Sequence, residues 1–144
     1  MEVKYNTNLA SEFFVMSMLY RRGLDAYLTL GNKKGIDILV KKSNGITLKI
    51  EVKGVNKKTD DWLLSSGELS DAPDLFFILI SYESEIYNLN VNPKAWIVPA
   101  IVIKSRCKQS PAKSGKYLKY FPHKLVKEEF FSEYENNWQP FENV

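Results

Sequence analysis

Three charged residues, Asp37, Glu51 and Lys53, have the types and the spacing needed to hold a divalent cation and activate a water molecule. Glu51 follows Asp37 by fourteen residues, and Glu51 and Lys53 alternate with apolar residues. Because side chains alternate between the two faces of a strand, Glu51 and Lys53 are expected on one face, about 7 Å apart. Two carboxylates and an ammonium that converge can bind a divalent cation beside a reactive water.

A β-hairpin is predicted to bring these residues together. Residues 36–40 are almost entirely apolar, and in residues 46–53 the apolar side chains occupy the even positions. The Ser43-Asn44-Gly45 segment between them is typical of a hairpin turn. Asp37 at the start of the first strand then lies at the same end of the sheet as Glu51.

A fourth carboxylate, Glu12, is predicted on an N-terminal helix over residues 7–22. Thr7 or Asn8 can cap its start, and Gly23 suits its C-cap. The apolar residues that recur at helical spacing are Leu9, Phe13, Met16, Leu19 and Tyr20. Glu12 is expected to project from this buried stripe. A lone carboxylate there costs roughly several kcal/mol unless it is paired or bound to a cation.

The pattern of Asp37, Glu51 and Lys53 on a hairpin resembles the signature of the PD-(D/E)xK nuclease superfamily, the restriction-endonuclease-like phosphodiesterases. The resemblance implies that Asp37 and Glu51 hold Mg²⁺ and that Lys53 assists the attacking water or the phosphate. Members similar to Holliday-junction resolvases and to Mrr proteins carry a metal-facing glutamate on a preceding helix, which Glu12 matches. Ile36 stands where the signature has proline, a residue that does no chemistry.

The remaining chain is predicted to complete a mixed α/β fold, a restriction-endonuclease-like central mixed β-sheet flanked by helices, in a single domain over residues 1–144. Residues 75–81 and 95–98 read as buried strands, and Pro99 fits the first turn of a helix. Trp62 begins a short segment that is expected to be helical. In one branch of small bacterial members a tryptophan follows the lysine motif, and Trp62 resembles it, as Trp96-Ile97-Val98-Pro99 resembles a second motif of that branch.

Residues 104–144 form a basic segment that is expected to end in an amphipathic helix over residues 125–138. Lysines and arginines occur from Lys104 to Lys127 without any acidic residue, and Tyr117, Tyr120 and Phe121 lie among them. This mixture suits a phosphate backbone with stacking surfaces, although a solvated basic loop is an equally good interpretation. The predicted nucleic-acid contacts are Lys33, Lys34, Lys113, Lys116 and Lys119.

Composition narrows the function classes. The net charge of +3 does not by itself argue for nucleic-acid binding, and a single cysteine, Cys107, excludes an internal disulfide framework and a cysteine-based zinc site. No apolar run is long enough to span a membrane, and the N-terminus lacks the pattern of a signal peptide. A cytoplasmic protein without a membrane partner is expected.

The sequence therefore predicts an endonuclease that uses Mg²⁺ or Mn²⁺ and hydrolyses phosphodiester bonds, with DNA favoured over RNA. Glu12, Asp37 and Glu51 are the predicted metal ligands, and Lys53 is the predicted catalytic lysine. Two alternatives stay open: a nuclease-like fold that binds nucleic acid or protein without cutting, as part of a defence or repair system, and an RNA-directed nuclease. The sequence also leaves open a homodimer or a subunit of a larger assembly.

Overall fold

The computed structural model describes residues 3–29, 35–65, 67–111, 113, 115 and 117–142. Within these residues the chain forms two α-helices, eight β-strands and three short 3₁₀ helices. The elements are α1 (Val3–Arg21), β1 (Asp25–Leu28), β2 (Ile38–Lys41), β3 (Thr47–Val55), β4 (Trp62–Leu63), β5 (Leu75–Ser81), β6 (Lys94–Pro99), α2 (Ala100–Arg106), β7 (Lys108–Pro111) and β8 (Tyr117–Phe121), followed by 3₁₀ helices at His123–Lys127, Glu129–Tyr134 and Gln139–Phe141.

The larger of two sheets is mixed, with the strand order β1-β2-β3-β5-β6. Strands β3 and β5 run parallel, and the other neighbouring pairs run antiparallel. A smaller sheet has the order β4-β8-β7. The predicted mixed sheet flanked by helices is thus confirmed, as are the buried strands in residues 75–81 and 95–98 and the helix after Pro99.

Two apolar cores lie on opposite faces of the larger sheet, because alternate residues of β5 belong to different cores. Ile78 and Ile80 pack with the buried side of α1, whereas Phe77 and Leu79 pack with the smaller sheet and α2. Strands β3 and β5 are consequently covered on both faces. A side chain on either face of β3 is therefore partly withdrawn from water, which matters for the charged residues that this strand carries.

The predicted hairpin is confirmed. Strands β2 and β3 pair antiparallel, with Ile38 opposite Ile50. In the turn, the Gly45 amide donates to the Lys42 carbonyl at 3.0 Å. Gly45 has φ +88°, a conformation that glycine adopts without the steric cost of a side chain.

Helix α1 buries a different stripe from the predicted one. Its fully buried residues are Thr7, Ser11, Val15 and Leu19, each four residues after the last. Phe13 and Tyr20 remain 59% and 57% exposed, so their predicted burial is wrong. The helix also begins at Val3, which makes Thr7 an interior residue and not an N-cap.

A close approach between α1 and β3 explains why small residues were selected on the buried face. A Cβ added to Gly54 would collide with the Ser11 hydroxyl, lie 2.9 Å from Ser11 Cβ and lie 3.2 Å from the Thr7 carbonyl oxygen. A larger side chain at either position would push the helix off the sheet. Glycine within a strand commonly marks such a close approach of backbone.

Two predicted elements are wrong. Trp62 does not begin a helix but starts strand β4, because it pairs with Phe121 and its indole N–H donates to the Ile80 carbonyl at 3.0 Å. Residues 125–138 do not form an amphipathic α-helix. The backbone is extended at Glu128 and has φ +51° at Asn136, so only separate 3₁₀ turns form there. The β7–β8 hairpin, in turn, was not predicted.

The close packing at Gly54 predicts the cost of enlarging this residue. Gly54→Ala should lower the free energy of unfolding by roughly 1–3 kcal/mol, because the new methyl group overpacks the contact between α1 and β3. Chemical denaturation measures this loss. Gly67→Ala is the matched control, since nothing lies within 4 Å of a Cβ at Gly67. An equal effect of both substitutions would contradict the account.

Candidate active site

Asp37 lies where strand β2 separates from strand β3. Its amide donates to the Ile50 carbonyl at 2.8 Å, one residue before β2 begins. Beyond Ile50, β3 continues to Val55 without β2 beside it. The Val52 amide, which points to the side where β2 would lie, therefore has no strand partner. The Asp37 carboxylate fills that role, since its Oδ2 accepts the Val52 N–H at 2.7 Å. This hydrogen bond fixes the Asp37 side chain at the open edge of β3.

Glu51 and Lys53 share one face of β3, as their spacing predicts. Glu51 is 8% exposed although it is charged, because its parallel neighbour on β5 is the buried Phe77. The Lys53 ammonium lies 3.1 Å from Glu51 Oε1, and the Lys53 side chain is 28% exposed. The two residues therefore form an ion pair at the margin of the core and not on a fully solvated face.

Glu12 reaches the same place from helix α1. It is half-buried, and its carboxyl lies close enough to that of Asp37 for a hydrogen bond between them to raise the pKa of Glu12. Two carboxylates can share a hydrogen bond only if a proton lies between them. The structure thus brings Glu12 to Asp37, and Asp37 to Glu51 and Lys53, across a helix and two strands.

Burial raises the pKa of all three carboxyls, and the negative charge of Asp37 raises those of Glu12 and Glu51 further. For Glu12 the pKa is raised first by burial and then by the negative charge of Asp37 and the hydrogen bond to it. Burial also raises the pKa of Asp37, although the Val52 amide and the Lys53 ammonium oppose the shift. The pKa of Glu51 is raised by burial and, more weakly, by Asp37, against the opposing effect of Lys53. The cluster therefore holds more negative charge than its surroundings compensate.

The described side chains do not form a complete set of metal ligands. No group of three or more histidine, cysteine, aspartate or glutamate side chains is arranged there so that it could hold a metal ion as it stands. Glu12 interacts directly with Asp37, whereas Asp37 and Glu51 influence each other through their charges. Metal binding at this cluster stays a prediction that requires these side chains to reorient.

A cleft of about 930 Å³ opens directly beside Lys53. It runs along the open edge of β3, between the first turns of α1 and the smaller sheet. The described residues that line it are Thr7, Asn8, Lys53, Gly54, Val55, Asn56, Lys57, Thr59, Asp60, Asp61, Trp62, Leu63, Leu64, Ser65, Ser110, Leu118 and Tyr120. Two of these lining residues have a functional role predicted from the sequence: Lys53 as the catalytic lysine, and Tyr120 as an aromatic residue among the lysines of the basic segment. No local pattern in the sequence marks the other lining residues, because they come from distant segments that only packing brings together.

Of the predicted nucleic-acid lysines, the two that the structure describes, Lys113 and Lys119, do not line this cleft. Lys33, Lys34 and Lys116 lie outside the described residues. Lys113 is exposed between β7 and β8. Lys119 lies on the opposite face of β8 from Leu118 and Tyr120, and its ammonium donates to the Gly67 carbonyl at 2.7 Å. Lys53 and Lys57 are the cations that line the cleft itself.

Comparison with solved structures gives the fold a known counterpart. A bacterial homing endonuclease superposes with a TM-score of 0.55 over 95% of this chain and 90% of the other, at 14% sequence identity. The chain therefore has a nuclease-type α/β fold. No protein-family model and no curated protein sequence matches the chain. Within the described residues, no helix is long and apolar enough to cross a bilayer.

The raised pKa values predict how stability depends on pH when a chelator removes divalent cations. A carboxyl whose pKa is higher in the folded than in the unfolded chain keeps its proton up to a higher pH in the folded chain. Its stabilising contribution is present below its ordinary value of 3.8 for Asp37 or 4.5 for Glu12 and is lost as pH rises through the raised pKa. The free energy of unfolding should therefore fall as the pH rises from these ordinary values through the raised pKa values, which is the pH window of this prediction.

Glu12→Gln should flatten this dependence, because glutamine still donates to Asp37 but cannot ionise. Denaturation curves across the window, with chelator present, measure the slope for both proteins. Glu129→Gln, which alters an exposed carboxylate, should leave the slope as in the wild type. A slope unchanged by Glu12→Gln would show that Glu12 does not share a proton with Asp37.

Proposed function

We propose that this protein is a metal-dependent nuclease that hydrolyses phosphodiester bonds in DNA. The observation that carries the proposal is the convergence of Glu12, Asp37, Glu51 and Lys53 at the point where β2 leaves β3. When all four are ionised, three negative charges face one positive charge in a half-buried site. The resemblance of these residues to the PD-(D/E)xK signature and the fold shared with a homing endonuclease support the same function.

The donor set suits a hard divalent cation such as Mg²⁺ or Mn²⁺, because carboxylate oxygens are the ligands that these ions prefer. Glu12, Asp37 and Glu51 would hold it, and their uncompensated charge favours its binding. A cation bound there would lower the pKa of a coordinated water and stabilise charge on the phosphate. Asp37 is held by the Val52 amide, so its carboxylate remains in place while Glu12 and Glu51 adjust.

Lys53 is proposed to position the attacking water and to neutralise the phosphate. Its ammonium already lies against Glu51 Oε1, and its side chain is open to the cleft. An ammonium donates up to three hydrogen bonds, so Lys53 can keep its contact with Glu51 and still contact a phosphate oxygen. Placing a cation where negative charge develops during the reaction lowers the barrier to in-line attack.

A second candidate function is a nuclease-like fold that binds nucleic acid without cutting it. The absence of a ready three-residue metal cage among the described side chains favours this alternative. The ion pair between Lys53 and Glu51 could then serve stability alone. Both functions use the same fold, so cleavage assays and not binding assays separate them.

Replacing Lys53 by methionine tests the catalytic proposal. Lys53→Met keeps the aliphatic stem and removes the charge, and it should lower the cleavage rate about 100-fold or more. Supercoiled, linear, branched and single-stranded DNA, together with RNA, should be incubated with Mg²⁺, Mn²⁺ or chelator. Cleavage by the wild type that requires the metal and favours DNA is the expected result.

Lys49→Met is the matched control, because Lys49 lies on the same strand and the same face and pairs with Asp74 at 3.4 Å. It should cleave as the wild type does. Folding of both variants is checked by circular dichroism, since Lys53→Met also leaves the buried Glu51 without its partner. Equal cleavage by a folded Lys53→Met protein would overturn the role of Lys53, and no cleavage of any substrate by the wild type would favour the binding module.

A further inference from the structure

The cleft beside Lys53 is lined by aromatic, aliphatic and hydrogen-bonding side chains next to two lysines. We infer that it receives the base of an unpaired nucleotide next to the phosphate that the candidate active site would cut. The inference rests on the proposed function and adds a substrate class: nucleic acid with an unstacked base at the site, such as a bulge, a flap or a single strand.

A base can enter this cleft only after it has left the duplex stack. Its volume of about 930 Å³ falls within the range of pockets that enclose small ligands. A base inside a duplex is stacked on both faces and paired at its edge, so it must leave the stack before it can enter a pocket. Because Lys53 lines both the cleft and the active site, a base in the cleft places its phosphate near the carboxylates.

The walls offer the contacts that unpaired bases use. Tyr120 and Leu118 come from one face of β8, and the partly exposed Leu63 comes from β4. An aromatic ring and aliphatic side chains provide a surface on which a base can stack. Asn56 and Ser110 lie among them and bring groups that can hydrogen-bond to base edges.

The charges around the cleft fit a neutral base with its phosphate at one end. Lys53 and Lys57 supply the positive charge for a phosphate. Asp61, one of two aspartates among the described residues that line the cleft, already accepts a hydrogen bond from the His123 amide through its Oδ1, at 2.8 Å. Leu63, Leu118 and the ring of Tyr120 form an apolar part of the lining that would accept an aromatic base.

Trp62 lines the cleft and is held in place by contacts within the protein. The fully buried Trp62 is fixed by its hydrogen bond to the Ile80 carbonyl and by the His123 ring, whose centroid lies 4.4 Å from its own. The Asp60 carbonyl is within 2.8 Å of His123 Nδ1, which holds the lining loop from a second point. A rigid cavity loses little conformational entropy on binding, which favours its use as a binding site.

Fluorescence polarisation with labelled DNA tests this inference, with Ca²⁺ in place of Mg²⁺ so that binding is read apart from cleavage. The 144-residue chain should bind a duplex with one unpaired nucleotide more tightly than the perfect duplex of the same sequence. Tyr120→Ala should weaken binding of the bulged DNA about tenfold, the order expected for one base–aromatic stack, with little change for the duplex. Tyr120→Phe should retain the preference.

Tyr117→Ala is the matched control, because Tyr117 is an exposed tyrosine of the same strand that does not line the cleft. It should bind as the wild type does. Ser110→Leu, which adds an aliphatic side chain opposite Leu118 without removing a large one, should weaken the preference for the bulge and serves if Tyr120→Ala fails to fold. Equal affinity of the wild type for both DNAs, or equal effects of Tyr117→Ala and Tyr120→Ala, would overturn the inference.

The same DNAs incubated with Mg²⁺ separate this inference from the proposed function. Cleavage of the perfect duplex without any preference for the bulge would contradict the base-binding cleft and leave the nuclease intact. Preferential binding of the bulge that Tyr120→Ala removes, without cleavage of either DNA, would support the cleft and contradict the nuclease.

Discussion

The hydrogen bond from the Val52 amide to Asp37 Oδ2 determines the arrangement of the whole site. It forms because β2 stops pairing with β3 at Ile50, which leaves the Val52 amide without a strand partner. A half-buried amide without an acceptor costs about 1–3 kcal/mol, so a side chain that can accept is strongly favoured at this position. The same bond holds a carboxylate between Glu12 on one side and Glu51 on the other. A structural requirement of the sheet thus fixes the centre of a charged cluster.

The cluster is electrostatically unfavourable as it stands, and this is informative about its use. Burial raises the pKa of each carboxyl, and neighbouring carboxylates raise those of Glu12 and Glu51 further. A chain selected only for stability would be expected to replace one of them by a neutral residue, because uncompensated buried charge is costly. Perturbed carboxyls of this kind concentrate at functional sites. A divalent cation would offset the repulsion between the carboxylates, and relief of that repulsion would strengthen its binding.

The sequence predicted the parts of the molecule that depend on local pattern. The hairpin at Gly45 follows from turn residues, strand β5 from an almost continuous apolar run, and the helix after Pro99 from a proline that suits a first turn. The face of α1 could not be read in the same way, because its apolar residues offer two stripes. Tertiary contact decides between them, and the close approach at Gly54 admits Ser11 and not Phe13. The separate 3₁₀ turns near the C-terminus and the cleft beside Lys53 likewise arise from packing between distant segments.

Calorimetric titration with Mn²⁺ tests the central claim that Glu12, Asp37 and Glu51 form a cation site. The wild type should bind one ion, and Asp37→Asn, which can still accept the Val52 amide, should bind it far more weakly. Asp74→Asn should bind as the wild type does, because that carboxylate pairs with Lys49 away from the cluster. Equal binding of Mn²⁺ by the wild type and by folded Asp37→Asn would contradict the claim.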